Sequence, residues 1–408
     1  MGGLKSRLSR LKDLGSIAPS PPAPTPRTVG PPPGWEAGEP HEYWRLTETS
    51  FALDPADLER GYDPRLFAQA GGAASSSGRF EDLAFLDFET TGLSGGAGTI
   101  AFLAAIGWFE GQNLVVLNVF IDDFPGEPAF LARVLRNLAE RGTVVTYNGA
   151  SFDMPLLRTR CILNRIPCQD FSHIDALKTV RRFWSGSLSS CALKALESEL
   201  LGYQRTDDIP GFLIPRIWLA YSAGGRGNGL EDPRALMDRV FAHNVRDIVS
   251  LARVFILMNK IAENPIRQAA RARVRHSALA TILIGLGRRS EGIALLEEAV
   301  VEGDSMAGLR LASLLRREGD WSSYEKILMS LVENDPRVSV AKAKYWEHRS
   351  LDYSAALACV ERAATLLAAE SGIIGGSHRI SEALRWRLLE DLAKRKRRLE
   401  FKSKGFRA

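Results

Sequence analysis

Several common features are missing from this 408-residue chain, and each absence removes a class of protein. It has only four cysteines, Cys161, Cys168, Cys191 and Cys359. They form no CxxC pair and no even ladder, which argues against a disulfide framework or a thiolate zinc site and fits a reducing cytosol. No apolar stretch approaches about 18 residues free of charge, and the first residues lack the apolar core of a signal peptide. The expectation is a soluble, cytoplasmic protein with no membrane partner. A P-loop GxxxxGK[ST] is also missing, which sets aside a phosphotransferase or nucleotidyltransferase built on one.

What is present is ordinary soluble composition, 45% apolar and 25% charged, in a chain long enough for two or three domains. The net charge of +5 is unevenly spread. From Arg385 to Ala408 ten Lys/Arg face three Asp/Glu, so the rest of the chain is near −2. Such a basic tail either touches phosphates or is a solvated helix end.

Five segments follow from texture. Residues 1–40 pair a short basic stretch with Pro-rich runs (Pro19 to Pro24, Pro31 to Pro33) that cannot bury a core, so a disordered segment is expected. Residues 41–80 read as a lead-in packed loosely on the next domain. Residues 81–262 alternate apolar β-rich runs with helical periodicity: strands over 83–88, 99–109, 113–121, 143–147 and 172–174, with helices over 127–141 and 152–163. Glu110-Gly111-Gln112 reads as a hairpin turn, and the glycines from Gly92 to Gly98 as a bend. This is an α/β order. Pro265 interrupts a helical run that starts near Pro233, which places a boundary before residues 268–370. There a turn, an aromatic or small residue and helically spaced leucines recur about every 32 residues, at Gly287, Gly319-Asp320-Trp321 and Leu351-Asp352-Tyr353. The pattern resembles tetratricopeptide repeats, stacked hairpins that offer a face to a protein partner. Residues 371–408 are the basic tail.

The chemistry starts at Leu83-Ala84-Phe85-Leu86-Asp87-Phe88-Glu89. Strand period puts Asp87 and Glu89 on one face, where two anions repel unless a hard cation such as Mg²⁺ or Mn²⁺ sits between them. Asp153, in Asn148-Gly149-Ala150-Ser151-Phe152-Asp153, begins a helix after a strand; its bland role is that of an N-terminal helix acid. His243 and Asp247 lie four apart on a helix and share a face. Lys178, Arg181 and Arg182 beside Phe183 and Trp184 suggest either a strip that steers phosphates and stacks a base, or an ordinary packed helix. His173 reads as structural.

Taken together, Asp87-x-Glu89, Asn148 with Phe152-Asp153, and His243 with Asp247 resemble the three motifs of the DEDD exonucleases, which have a ribonuclease H-like fold. His173-Ile174-Asp175, Leu188 to Lys194, Asp207-Asp208-Ile209-Pro210-Gly211 and the His-Asn-x-x-Asp ending narrow the likeness to the YprB-type branch. The resemblance implies a mixed sheet flanked by helices and followed by an all-α region. It also implies two Mg²⁺ or Mn²⁺ ions on Asp87, Glu89, Asp153 and Asp247, and 3′-to-5′ hydrolysis of single-stranded DNA or RNA ends. His243, at the spacing the group reserves for a tyrosine, is the candidate general base. Thr90, Thr91, Asn148 and Phe152 are candidates to contact the terminal nucleotide, with turn capping the competing role for the threonines. The alternative is a non-catalytic nucleic-acid-binding adaptor whose repeats recruit a partner.

Overall fold

The computed structural model describes residues 32–49, 51, 54–67, 78–92, 98–224, 232–269, 271–369 and 382–403. Its centre is a seven-stranded sheet: β1 (Glu36–Ala37), β2 (Glu42–Thr49), β3 (Leu83–Thr90), β4 (Ala101–Glu110), β5 (Asn113–Ile121), β6 (Thr143–Thr146) and β7 (Ser172–Asp175). The strand order is β1-β2-β5-β4-β3-β6-β7. Pairing is antiparallel from β1 through β3 and parallel from β3 to β6 and β7. Around it lie α1 (Glu127–Ala139), α2 (Asp153–Leu163), α3 (Ala176–Trp184), α4 (Leu193–Glu199), α5 (Ile214–Ser222) and the long α6 (Pro233–Glu263). The mixed sheet with helices on both faces has the architecture that the resemblance in the sequence implies.

One expectation changes here. Residues 42–49 do not pack loosely: β2 pairs along its whole length with β5, from Glu42 opposite Ile121 to Thr49 opposite Leu114. The alternation in Glu42-Tyr43-Trp44-Arg45-Leu46-Thr47 is weak, because only one end of this strand is buried, and so the period gives little signal. Residues 1–31 of the segment expected to be disordered lie outside the described residues, as do Gly95 and Gly96, but residues 32–40 are ordered: β1 pairs with β2 and Trp35 buries against Phe120 and Phe241.

Alternation along β3 divides the core. Leu83 and Phe85 face one cluster with Phe255 and Leu251 of α6. Ala84, Leu86 and Phe88 face a second with Phe130 and Val134 of α1 and Leu157 of α2. Asp87 and Glu89 therefore continue the row of Leu83 and Phe85 on the α6 side. α6 can approach because β4 carries Gly107, where an added Cβ would lie 2.4 Å from Ile248 Cγ2. Phe183 and Trp184 are fully buried, and Trp184 Nε1 donates to the Ala272 carbonyl at 2.7 Å. That end of α3 packs; it does not stack bases.

Beyond α6 the chain is all helical: α7 (His276–Gly285), α8 (Arg289–Val301), α9 (Ser305–Glu318), α10 (Trp321–Ser330), α11 (Pro336–Tyr345), α12 (Tyr353–Ala369) and α13 (Glu382–Ser403). α8, α10 and α12 begin 32 residues apart, matching the period read from the sequence. Leu279, Leu283, Leu295 and Leu311 continue the α6-side core without a break. Residues 382–403 of the basic tail form helix α13. Leu392 and Leu399 bury against α12, while Arg395, Arg398 and Lys402 converge on Glu347, which is 1% exposed.

Candidate metal centre

The site forms where the C-terminal end of β3 meets the middle turns of α6 and the start of α2. Glu89, His243 and Asp247 come together there, each offering a ligand atom within 4.8 Å of the others. His243 Nε2 lies 3.7 Å from Glu89 Oε1 and 3.4 Å from Asp247 Oδ2. Asp87 sits beside them: Asn244 Nδ2 donates to its Oδ2 at 2.7 Å, and Asn118 Nδ2 on β5 donates to Asn244 Oδ1 at 3.2 Å. Asp153 reaches the same strand from α2, accepting the Phe88 N–H at 3.3 Å, between the two acids of the first motif.

Packing these carboxylates together is costly. Burial pushes Asp87 well above the usual carboxylate range, and the charges of Asp247, Glu89 and Asp153 push it further; only the Asn244 amide pulls it back. Glu89 is raised by burial and by Asp247 and Asp153. Burial carries Asp153 up to about 7, against the donors of Phe88 and its own backbone N–H. Burial also raises Asp247, with His243 and Arg205 opposing. Four acids held in this way favour either protons or a cation. The donor set of carboxylate oxygens with one imidazole nitrogen suits Mg²⁺ or Mn²⁺.

Three residues given no role from the sequence complete the setting. Asp208 Oδ1 lies 2.6 Å from His243 Nδ1. A carboxylate can only accept, so Nδ1 carries a proton, and Nε2 faces Glu89 and Asp247. Asp208 is itself held at about 2: burial pushes it up, but Lys194, at 2.6 Å, His243 and Arg205 outweigh it. Arg205, its side chain 5% exposed, bridges Glu197 and Asp247. Asn244 fixes Asp87. The Asp207-Asp208 pair stands out in the sequence, but nothing local ties it to His243.

The other candidate residues are placed as follows. Thr90 Oγ1 donates to the Gly92 carbonyl at 2.7 Å, and Thr91 Oγ1 accepts the Ile100 N–H at 3.1 Å, so both hydroxyls close the turn after β3. Asn148 is exposed in a left-handed conformation (φ 70°), its N–H bound to Asp175 Oδ1 at 2.8 Å. Phe152 is half-buried against the α1-side core. His173 Nε2 pairs with Thr146 Oγ1 at 2.8 Å and lies outside the cluster.

Comparison with known proteins agrees with this architecture. Residues 84–259 match the family model described as RNase_H superfamily, in keeping with the ribonuclease H-like fold of this stretch. At the level of single proteins, the chain is 29% identical over 295 residues to the uncharacterized protein YprB of Bacillus subtilis, covering 69% of this chain and 68% of that one. It also matches the family B DNA polymerase of the archaeon Pyrobaculum calidifontis, with 14% identity and a TM-score of 0.34 over 51% of this chain. That match spans 29% of the polymerase's length. No helix among the described residues is long and apolar enough to cross a membrane.

Proposed function

We propose that the protein is a metal-dependent 3′-to-5′ exonuclease acting on single-stranded nucleic-acid ends. The observation that carries this reading is the convergence of Glu89, His243 and Asp247 beside Asp87 and Asp153 at the end of β3, with every acid of the set raised by burial or mutual repulsion. The residues fit a divalent cation because its charge would offset the buried anions and their carboxylate oxygens are hard ligands. Asp87, Glu89, Asp153 and Asp247 would hold one or two Mg²⁺ or Mn²⁺ ions, which supply the positive charge that polarises water and the scissile phosphate.

The protein's own groups do the rest. Asp208 holds His243 with its Nε2 toward the acids, able to accept a proton from water. Asn118 and Asn244 orient Asp87, and the Phe88 N–H orients Asp153. Arg205 fixes Asp247. The polarity of degradation rests on the resemblance to DEDD exonucleases. In the same reading the paired helices from α7 to α12 are tetratricopeptide-like and offer a face to a protein partner.

One feature favours the adaptor reading: Arg205 already pairs with Asp247, so part of the acid charge is offset from within. End-labelled single-stranded DNA and RNA, incubated with Mg²⁺ or Mn²⁺, separate the two. The exonuclease shortens them stepwise, and Asp87→Ala or chelator stops it. Binding without shortening, equal in wild type and Asp87→Ala, assigns the adaptor.

A further inference from the structure

A groove of about 820 Å³ lies away from the acids, where the end of α3 (Ser185 and Gly186) meets α7 and α9. Four arginines line it, Arg275, Arg310, Arg317 and Arg337, and no acidic residue does. Arg310, Ser313 and Arg317 sit at i, i+3 and i+7 of α9, so they form one face of that helix. Arg310 and Arg317 are exposed. Among the described residues Arg275, Arg310 and Arg317 make no ion pair: Arg275 donates to the Ser185 carbonyl at 2.8 Å, whereas Arg337 is held by Asp335. The chain outside its last 24 residues is near −2 in net charge, so this positive strip is a local concentration.

Two exposed guanidinium groups without an acid partner among the described residues, Arg310 and Arg317, stand beside Arg275 in one groove, and a polyanion relieves their repulsion. Guanidinium forks and the hydroxyls of Ser277, Thr281 and Ser313 are the donors that phosphate oxygens take. No aromatic side chain lines the groove, so it has neither a platform for stacking bases nor an aromatic anchor for a peptide. α3 links it to the acid site. The helix starts just after Asp175, which holds the Asn148 N–H of the second motif, and ends at the groove. Nine residues make that span about 14 Å. We propose that this groove binds the phosphate backbone of a single-stranded polynucleotide, without reading its sequence. The assignment deepens the exonuclease reading, because α3 runs from beside the second motif to the groove and so offers a strand a second point of hold.

The test is fluorescence anisotropy of the full chain with 5′-labelled oligothymidylate and oligouridylate of 20 nucleotides, in chelator, across a salt series. Arg310→Glu/Arg317→Glu is expected to weaken binding at least tenfold, and to flatten the log K against log salt slope by about 1.4, since each single-strand phosphate contact contributes about 0.7. Arg310→Gln/Arg317→Gln, which only removes charge at two exposed positions, should fall between the two. Unchanged affinity in both variants overturns the proposal. So does displacement of the strand by polyglutamate at equal charge concentration, which would assign the groove to acidic protein. With metal, the Glu double variant should degrade the 20-mer more slowly and a hexamer at the wild-type rate. If the wild type binds through these arginines yet cleaves nothing, the exonuclease reading fails and the groove stands.

Discussion

Asp208 and His243 form a carboxylate–imidazole pair, Oδ1 to Nδ1 at 2.6 Å, that joins the α4–α5 connection to the middle of α6. The pair sets the tautomer of the histidine and aims Nε2 at the acid cluster. His243→Ala should therefore lower the single-turnover rate on end-labelled strands by on the order of 10². Asp208→Asn should cost about tenfold or more, because an amide can accept the same bond but no longer stabilises the imidazolium. If Asp208→Asn leaves the rate unchanged, the pair serves folding alone.

The raised acids predict how stability responds to pH. Asp153 titrates near 3.8 when unfolded and near 7 when folded, so between those values the native state holds more protons. Stability of the metal-free protein should then fall as pH rises from about 4 to about 7. Thermal unfolding in chelator measures this, and Asp153→Asn should flatten the slope. A slope of the opposite sign would contradict the buried-acid assignment.

Metal should reverse that loss. Its binding requires the deprotonated carboxylates, so affinity should increase with pH over the same window. At pH 7.5, Mn²⁺ or Mg²⁺ at a hundredfold excess over Kd should add about 2.7 kcal/mol of stability. Asp87→Ala or Asp247→Ala should abolish the increment. Isothermal titration of wild type and variant gives the same answer without a substrate.

At the far end of the chain Glu347 behaves in the opposite way. Burial raises it, but Arg398, Arg395 and His348 outweigh that and hold it near 2, below an unfolded value of 4.5. The stability it contributes is full above about pH 4.5 and is lost as pH falls toward 2. Glu347→Gln should cost on the order of 2 kcal/mol at neutral pH and release α13 from α12. Increased hydrogen exchange confined to residues 382–403 would be the signature.

Gly107 tests how closely α6 must sit. A methyl group there would lie 2.4 Å from the Cγ2 of Ile248, a β-branched side chain stiff in its helix. Gly107→Ala should cost about 1–3 kcal/mol and move Asp247, one residue before Ile248, away from Glu89. Loss of metal affinity larger than the loss of stability would support that account.

Much of this site is legible along the chain because two local periods carry it. Strand alternation puts Asp87 and Glu89 on the face continued from Leu83 and Phe85, and helical spacing does the same for His243 and Asp247. The same alternation shows why Phe88, between the acids, enters the opposite core. Phe183 and Trp184 look equally suited to stacking or packing in sequence, and only burial decides for packing.

By itself, then, the sequence determined which carboxylates share a face, the α/β order of the central region and the 32-residue spacing of the helices after it. All of these are repeats over a few residues, or over one hairpin. Tertiary structure alone decided that β2 closes onto β5, that Asp208 and Arg205 stand behind His243 and Asp247, and that Arg275 and Arg337 join the arginines of α9 in one groove. Those pairings join residues far apart along the chain, and they depend on how closely faces pack, which no local period encodes.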